Sequence, residues 1–207
     1  MNAPTAPASS AQTDEIRRLL HERIRAMSQE IALSRNQDLP RAGDGDYLYI
    51  LLEGILRIWL LDPLGNDITD GFIWKPWQVV STVPHMTADD IAETVTALSN
   101  ARLLRIPVEE IRALCASDED FARIYLEHMR GMYRTLWEHK TILMTLDASA
   151  RYQWFLERYP GMISAVRHKH IASFLGMTPV SLSRIRGYLK RGEDGEREDA
   201  NDADPDA

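Results

Sequence analysis

Cysteine is almost missing from this chain: Cys115 is the only one among 207 residues. Intrachain disulfides, thiolate zinc sites and a four-cysteine iron-sulfur cluster are therefore excluded. Cys115 itself reads as a small hydrophobe near a helix end. Long apolar runs are missing too. The richest stretch, "YLYILLEGILRIWLLD", is interrupted by Glu53 and Arg57 and falls short of the roughly 18 residues of a membrane span. No glycine-rich phosphate loop occurs, the histidines are scattered, and no nucleophile has a base in a recognisable neighbouring pattern, so an enzyme is not expected. The opening "MNAPTAPASSAQ" has neither a basic start nor an apolar segment; it reads as a disordered leader, and a cytoplasmic protein with no membrane partner is expected.

What is present suffices for a globular core, with 44% hydrophobic and 27% charged residues. The net charge of −7 conceals a sharp division. Residues 193–207 carry −7 and residues 1–150 another −7, while residues 151–192 carry +7, with Glu157 their only acid. A compact cationic island in an acidic protein suits a phosphate backbone, because neutralising phosphates releases condensed counterions.

Along the chain, "DEIRRLLHERIRAM" (14–27) has the spacing of a short amphipathic helix. Between Glu30 and Pro107 the period shortens to apolar stretches bounded by turn dipeptides such as Glu53-Gly54, Asp62-Pro63 and Gly65-Asn66. Seven or eight short strands in an antiparallel sandwich or barrel are predicted. Pro107 then opens a helix, and Ser117 with Asp120 resembles an N-terminal capping box for a long helix reaching about Leu146. On that helix Phe121, Tyr125, His128, Met132, Thr135, His139, Ile142 and Leu146 recur at alternating spacings of four and three. A second line, Leu126, Met129, Tyr133, Leu136, Lys140 and Leu143, runs beside it. Two lines imply two partners, and the heptad spacing makes one of them another helix; a homodimer is expected, paired through the Phe121 line. After a break near Asp147 comes the helix "ASARYQWFLERYP", stopped by Pro160 and Gly161.

The most specific pattern is "HKHIASFLGMTPVSLSRIR", residues 168–186. Ala172 allows two helices to cross closely, and Gly176 can end the first in a left-handed conformation. Thr178 and Pro179 suit the N-cap and first position of the second. Leu182 and Ile185 would pin the second helix on Ile171 and Leu175. This is a helix-turn-helix whose reading helix starts at Pro179 and reaches about Lys190. Its outward face offers Thr178, Val180, Ser181, Ser183, Arg184 and Gly187. Arg184 is the candidate for a guanine edge; Lys169, His170, Arg186 and Lys190 are candidates for phosphates.

Together with "DYLYILLEGILRIWLLDPLGND", "ALSNARLLRIP" and "ARYQWFLERYP", this motif resembles the Crp/Fnr family of bacterial transcription regulators over residues 30–190. The resemblance implies an α+β fold: an antiparallel β-roll of the cyclic-nucleotide-binding type, a long dimerisation helix, and a winged-helix-type helix-turn-helix with a reduced wing, since residues 158–168 are too few for a full one. It divides the chain into a leader (1–13), β-roll (14–116), dimer helix (117–146), DNA-binding domain (147–191) and disordered acidic tail (192–207). The implied partners are double-stranded DNA, a second copy and RNA polymerase. The family's phosphate clamp is missing. Its glutamate region is "QVVST", its arginine falls near Ile91, and Asp89, Asp90 and Glu93 would repel a phosphate, so neither cyclic AMP nor cyclic GMP is expected to bind. Val180 replaces the family's Glu on the reading helix and favours a thymine methyl. Trp59, Phe72, Trp74, Trp77 and Trp137, with Met86, could line a pocket for haem or another apolar effector, with His85, His128 or His139 as iron ligands; core packing is the competing reading. No cofactor is otherwise implied. The competing function is a sensor or adaptor whose helical end binds protein.

Overall fold

A computed structural model describes residues 20–40, 47–80 and 93–189. The leader, Met86, His85, Asp89, Asp90, Ile91, Lys190 and the acidic tail named above lie outside the described residues. Seven strands are present among them: β1 Gln29–Leu33, β2 Tyr47–Glu53, β3 Leu56–Leu61, β4 Asp67–Ile73, β5 Val79–Val80, β6 Thr94–Ala97 and β7 Ala101–Pro107. A helix at 20–26 (α1) precedes them. Then follow α2 Val108–Ser117, α3 Glu119–Thr145, α4 Ala148–Arg158, α5 Met162–Ala165 and α6 His168–Phe174, and a last helix at 179–189 (α7).

The strands form a four-stranded sheet in the order β1-β7-β2-β5 and a three-stranded sheet in the order β4-β3-β6. β7 pairs antiparallel with both β1 and β2. The near-continuous apolar run in β2 has a simple cause: the strand is buried on both faces. Side chains alternate across a strand, and Leu51 enters a core with Leu33, Leu56, Val80, Val95 and Leu103. Its neighbour Ile50 joins Ile24, Leu104, Ile106, Ile111 and Phe121 on the other face, under the helices.

The capping of the long helix departs from expectation by one residue. The Ser117 hydroxyl donates to the Ala113 carbonyl at 2.9 Å and belongs to the end of α2. Asp118 is the cap instead, its Oδ1 accepting from the Phe121 N–H at 2.9 Å. Two adjacent residues could each cap, and the carboxylate also pairs with Arg23.

The described chain separates into two compact units. One comprises residues 1–58 and 72–130; the other combines the β3–β4 hairpin tip, 59–71, with 131–207. The tip is set by Asp62, whose Oδ1 accepts from the N–H groups of Leu64 and Asn66 at 2.8 Å each. Within this unit the Thr69 N–H donates to the Ser173 hydroxyl at 2.8 Å. Asp147 breaks the long helix and caps α4, accepting from the Ala150 N–H at 2.9 Å. Phe155, Met162, Ile171, Leu175 and Leu182 are fully buried in this unit. The segment expected to form a reduced wing is a turn and the four-residue α5, and among the described residues no strand follows Pro107.

Gly54, between β2 and β3, has φ 106°, and a Cβ there would lie 2.6 Å from the Asn100 carbonyl oxygen. Gly54→Ala should therefore lower stability by about 2 kcal/mol or more, read as a lower urea midpoint with an unchanged denaturant slope.

Candidate nucleic-acid interface

The helix-turn-helix is built by its turn. Gly176 takes φ 61°, and its N–H donates to the Ser173 carbonyl while the Met177 N–H donates to the Ala172 carbonyl, both at 3.0 Å. This pair of bonds is the Schellman closure of a helix end, which needs the left-handed residue. One residue later α7 begins. The Thr178 hydroxyl accepts from the Ser181 N–H at 3.1 Å and exchanges a bond of 2.9 Å with the Ser181 hydroxyl. Ala172 is completely buried, which accounts for its small size.

With the turn so fixed, α7 presents Val180, Ser183 and Arg184 to solvent, Val180 at 61% exposure. Lys169 is exposed at the start of α6. Thr178 is also exposed, but its oxygen serves as the cap. Ser181 is half-buried and committed to that cap, which corrects its placement on the outward face. His170 is corrected as well: at 8% exposure it lies among Ile171, Ala172 and Phe174 in the interior of a short helix and offers nothing to a phosphate. Arg186 is half-buried and its Nη1 reaches the nitrogens of His168 at 2.9 and 2.8 Å. The sequence reading missed Tyr188, 70% exposed. Its signal was the helical spacing of four from Val180 to Arg184 to Tyr188.

The two lines of α3 have distinct fates. Phe121 and Ile142 are buried at 3% and 8%, and Tyr125 packs against the helix-side core. The His139 ring stacks on Phe174 at 4.0 Å. Of the line expected to meet another helix, these four positions are buried or packed within the chain, His128, Met132 and Thr135 are half-buried, and Leu146 stands open at 38%. The neighbouring line is the open one: Leu126, Tyr133, Leu136 and Leu143, with Trp137 and Met144 alongside, are all exposed.

The aromatic residues suggested for an effector pocket differ in their surroundings. Phe72 is buried core. Trp77 stacks on His21 at 3.5 Å with rings nearly parallel, and Trp74 lies beneath the Lys75 ammonium. Trp137 is 56% exposed and stacks on Tyr133, while Trp59 is half-buried. Of the histidines considered for haem, His139 has its Nε2 on the Phe174 carbonyl at 2.8 Å. His128 Nε2 is buried with no hydrogen-bond partner among the described residues. Those residues hold no group of three or more metal-ligating side chains. Arg57 is an unforeseen buried charge, its pKa lowered to about 10 by burial.

Two sandwiched sheets, a 27-residue helix and a terminal helix-turn-helix define a class: a β-domain joined by a long helix to a helix-turn-helix. Residues 30–118 match the cyclic nucleotide-binding domain family. No curated protein matches the chain in sequence. Among solved structures, FixK2 from Bradyrhizobium japonicum superposes with TM-score 0.68 at 16% identity, covering 80% of this chain and 86% of that one. The c-di-GMP responsive global regulator CLP of Xanthomonas campestris gives 0.62 at 18% identity, covering 84% and 91%. A protein from Eubacterium rectale assigned to the Crp/Fnr family gives 0.62 at 16%, covering 89% and 85%. Residues 30–118 thus match the model of that domain family, and the chain has the fold of the Crp/Fnr regulators. No described helix is long and apolar enough to cross a membrane.

Burial lowers the pKa of both His128 and His139 below 6.5; at His139 the Phe174 carbonyl and Asp70 oppose it. The unfolded chain then binds more protons around pH 6, so stability is present above the unfolded value and is lost as pH falls. Asp70, raised by burial against the pull of His139, has the opposite sign and acts lower, in the carboxylate range. The urea midpoint should drop between about pH 7.5 and about pH 5.5, and His128→Gln should flatten that dependence.

Proposed function

We propose that the protein is a sequence-specific DNA-binding transcription regulator that acts as a homodimer in the cytoplasm and has no enzymatic activity. The observation that carries this is the reading head: α7 is capped by Thr178, anchored by fully buried Leu182, and leaves Val180, Ser183 and Arg184 open inside the cationic island. Two such helices in a dimer would enter successive major grooves about 34 Å apart, on an inverted repeat. In this reading residues 14–116, apart from the hairpin tip, are a sensor, 117–146 the pairing helix and 147–191 the DNA-binding domain. The pairing face is the open line through Tyr133, Leu136 and Leu143, because water-exposed apolar side chains at heptad spacing gain most from a second helix.

The acids at Asp89, Asp90 and Glu93 stand in sequence where a cation would be needed for a cyclic phosphate. Calorimetry with micromolar cyclic AMP or cyclic GMP should accordingly give no binding heat.

Selection of duplexes from a random pool should return an inverted repeat, with affinity falling steeply as salt rises. Arg184→Ala should cost roughly 1 to 3 kcal/mol on the selected site and relax selectivity at one base pair; a uniform loss on all duplexes would make Arg184 a phosphate contact. Leu136→Asp should weaken self-association at least about tenfold by sedimentation, whereas monomers at every wild-type concentration would overturn the dimer.

A further inference from the structure

A helix ends with four carbonyls that have no donor inside the helix. At the end of α6 the Schellman closure satisfies those of Ala172 and Ser173. The other two, and the carbonyl of Gly176 just beyond them, are taken by side chains from other helices. His139 of α3 bonds the Phe174 carbonyl through Nε2 at 2.8 Å. Arg151 of α4 donates from Nη1 to the Leu175 carbonyl at 2.7 Å and the Gly176 carbonyl at 3.4 Å. The Arg151 Nε also reaches back to the Asp147 carbonyl at 3.4 Å, at the break between α3 and α4. One planar guanidinium thus spans the helix break and the turn of the reading head, and its rigid fork fixes direction as well as distance. The space above Gly176 is closed by the same group, since a Cβ there would lie 3.1 Å from Arg151 Nη1.

We propose that Arg151, assisted by His139, is a positioning residue for the reading helix: it ties the Asp147 carbonyl at the helix break to the Leu175 and Gly176 carbonyls of the turn, and so sets the direction in which α7 is presented. The proposal rests on the DNA-binding reading above and adds a route to it. Asp147 caps α4 and its carbonyl also accepts the Arg151 N–H, so the guanidinium moves with α4 and a displacement of α4 is delivered to the turn through Arg151. The arginine contributes through the geometry of α7 and touches no phosphate itself.

The test uses full-length wild type, Arg151→Gln and Arg151→Lys. Each is titrated with the duplex selected by the wild type and with an unrelated duplex, over a salt series, and amide hydrogen exchange at Gly176 and Met177 is followed without DNA. Arg151→Gln should lose about tenfold or more of the preference for the selected duplex. Its affinity and salt slope on unrelated DNA should stay unchanged, and exchange at both amides should quicken. Arg151→Lys, whose ammonium is a compact point donor without the planar fork, should fall between the two; it also keeps the test open should the glutamine variant not fold. A parallel loss on both duplexes, with the salt slope reduced by roughly 0.9, would make Arg151 a phosphate contact and overturn the proposal. An unchanged preference in the folded variants would overturn it too. A wild type that selects no duplex overturns the functional reading, and the proposal with it, before any variant is compared.

Discussion

The helix-turn-helix depends on how α6 is stopped. Seven residues of helix end at a glycine in the left-handed region, and the two bonds that close the end turn the chain so that Thr178 can begin a new helix at once. Any residue with a Cβ at Gly176 would meet strain in its backbone and crowd the Arg151 side chain. Buried positions on either side, Ala172 before and Leu182 after, follow from the angle this turn imposes. The polar ends left over are met from α3 and α4, so the geometry of two other helices converges on a few backbone oxygens.

The first unit is organised by a different constraint, the need of a sheet to cover both faces. The four-stranded sheet lies against the other sheet on one side and against α1, α2 and the start of α3 on the other. α3 begins in that helix-side core, through Phe121 and Tyr125. It therefore gains its own hydrophobic anchor in the chain and still carries a second apolar line that the chain leaves in water. A single helix spanning 27 residues can serve two contacts because its two lines sit on adjacent faces.

The parts legible in sequence were those fixed by local stereochemistry. Gly176, Thr178 and Pro179 could be placed by residue type alone, and the turn dipeptides bounded the strands because Gly, Pro, Asn and Asp each have a conformational reason to be there. Which line of α3 is buried was not legible. Leu136, Trp137 and Leu143 are as apolar as Phe121 and Ile142, and only packing decides between them. His170 was misplaced because a seven-residue helix buried on several sides offers no polar face wide enough to reveal itself by periodicity. Arg151 was counted only as charge, since its partners are backbone oxygens 24 and 25 residues away, and carbonyls leave no mark on a pattern of side chains.

The double-sided burial of β2 has an effect outside the native state. Before the sheets close, residues 47–61 are a stretch rich in β-forming and aromatic residues, the composition suited to pairing with copies of itself. Glu53, Gly54 and Arg57 interrupt the run at short intervals and act as gatekeepers against aggregation. The guanidinium that ends up buried in β3 is, in the unfolded chain, a charge that breaks the apolar run and opposes such pairing.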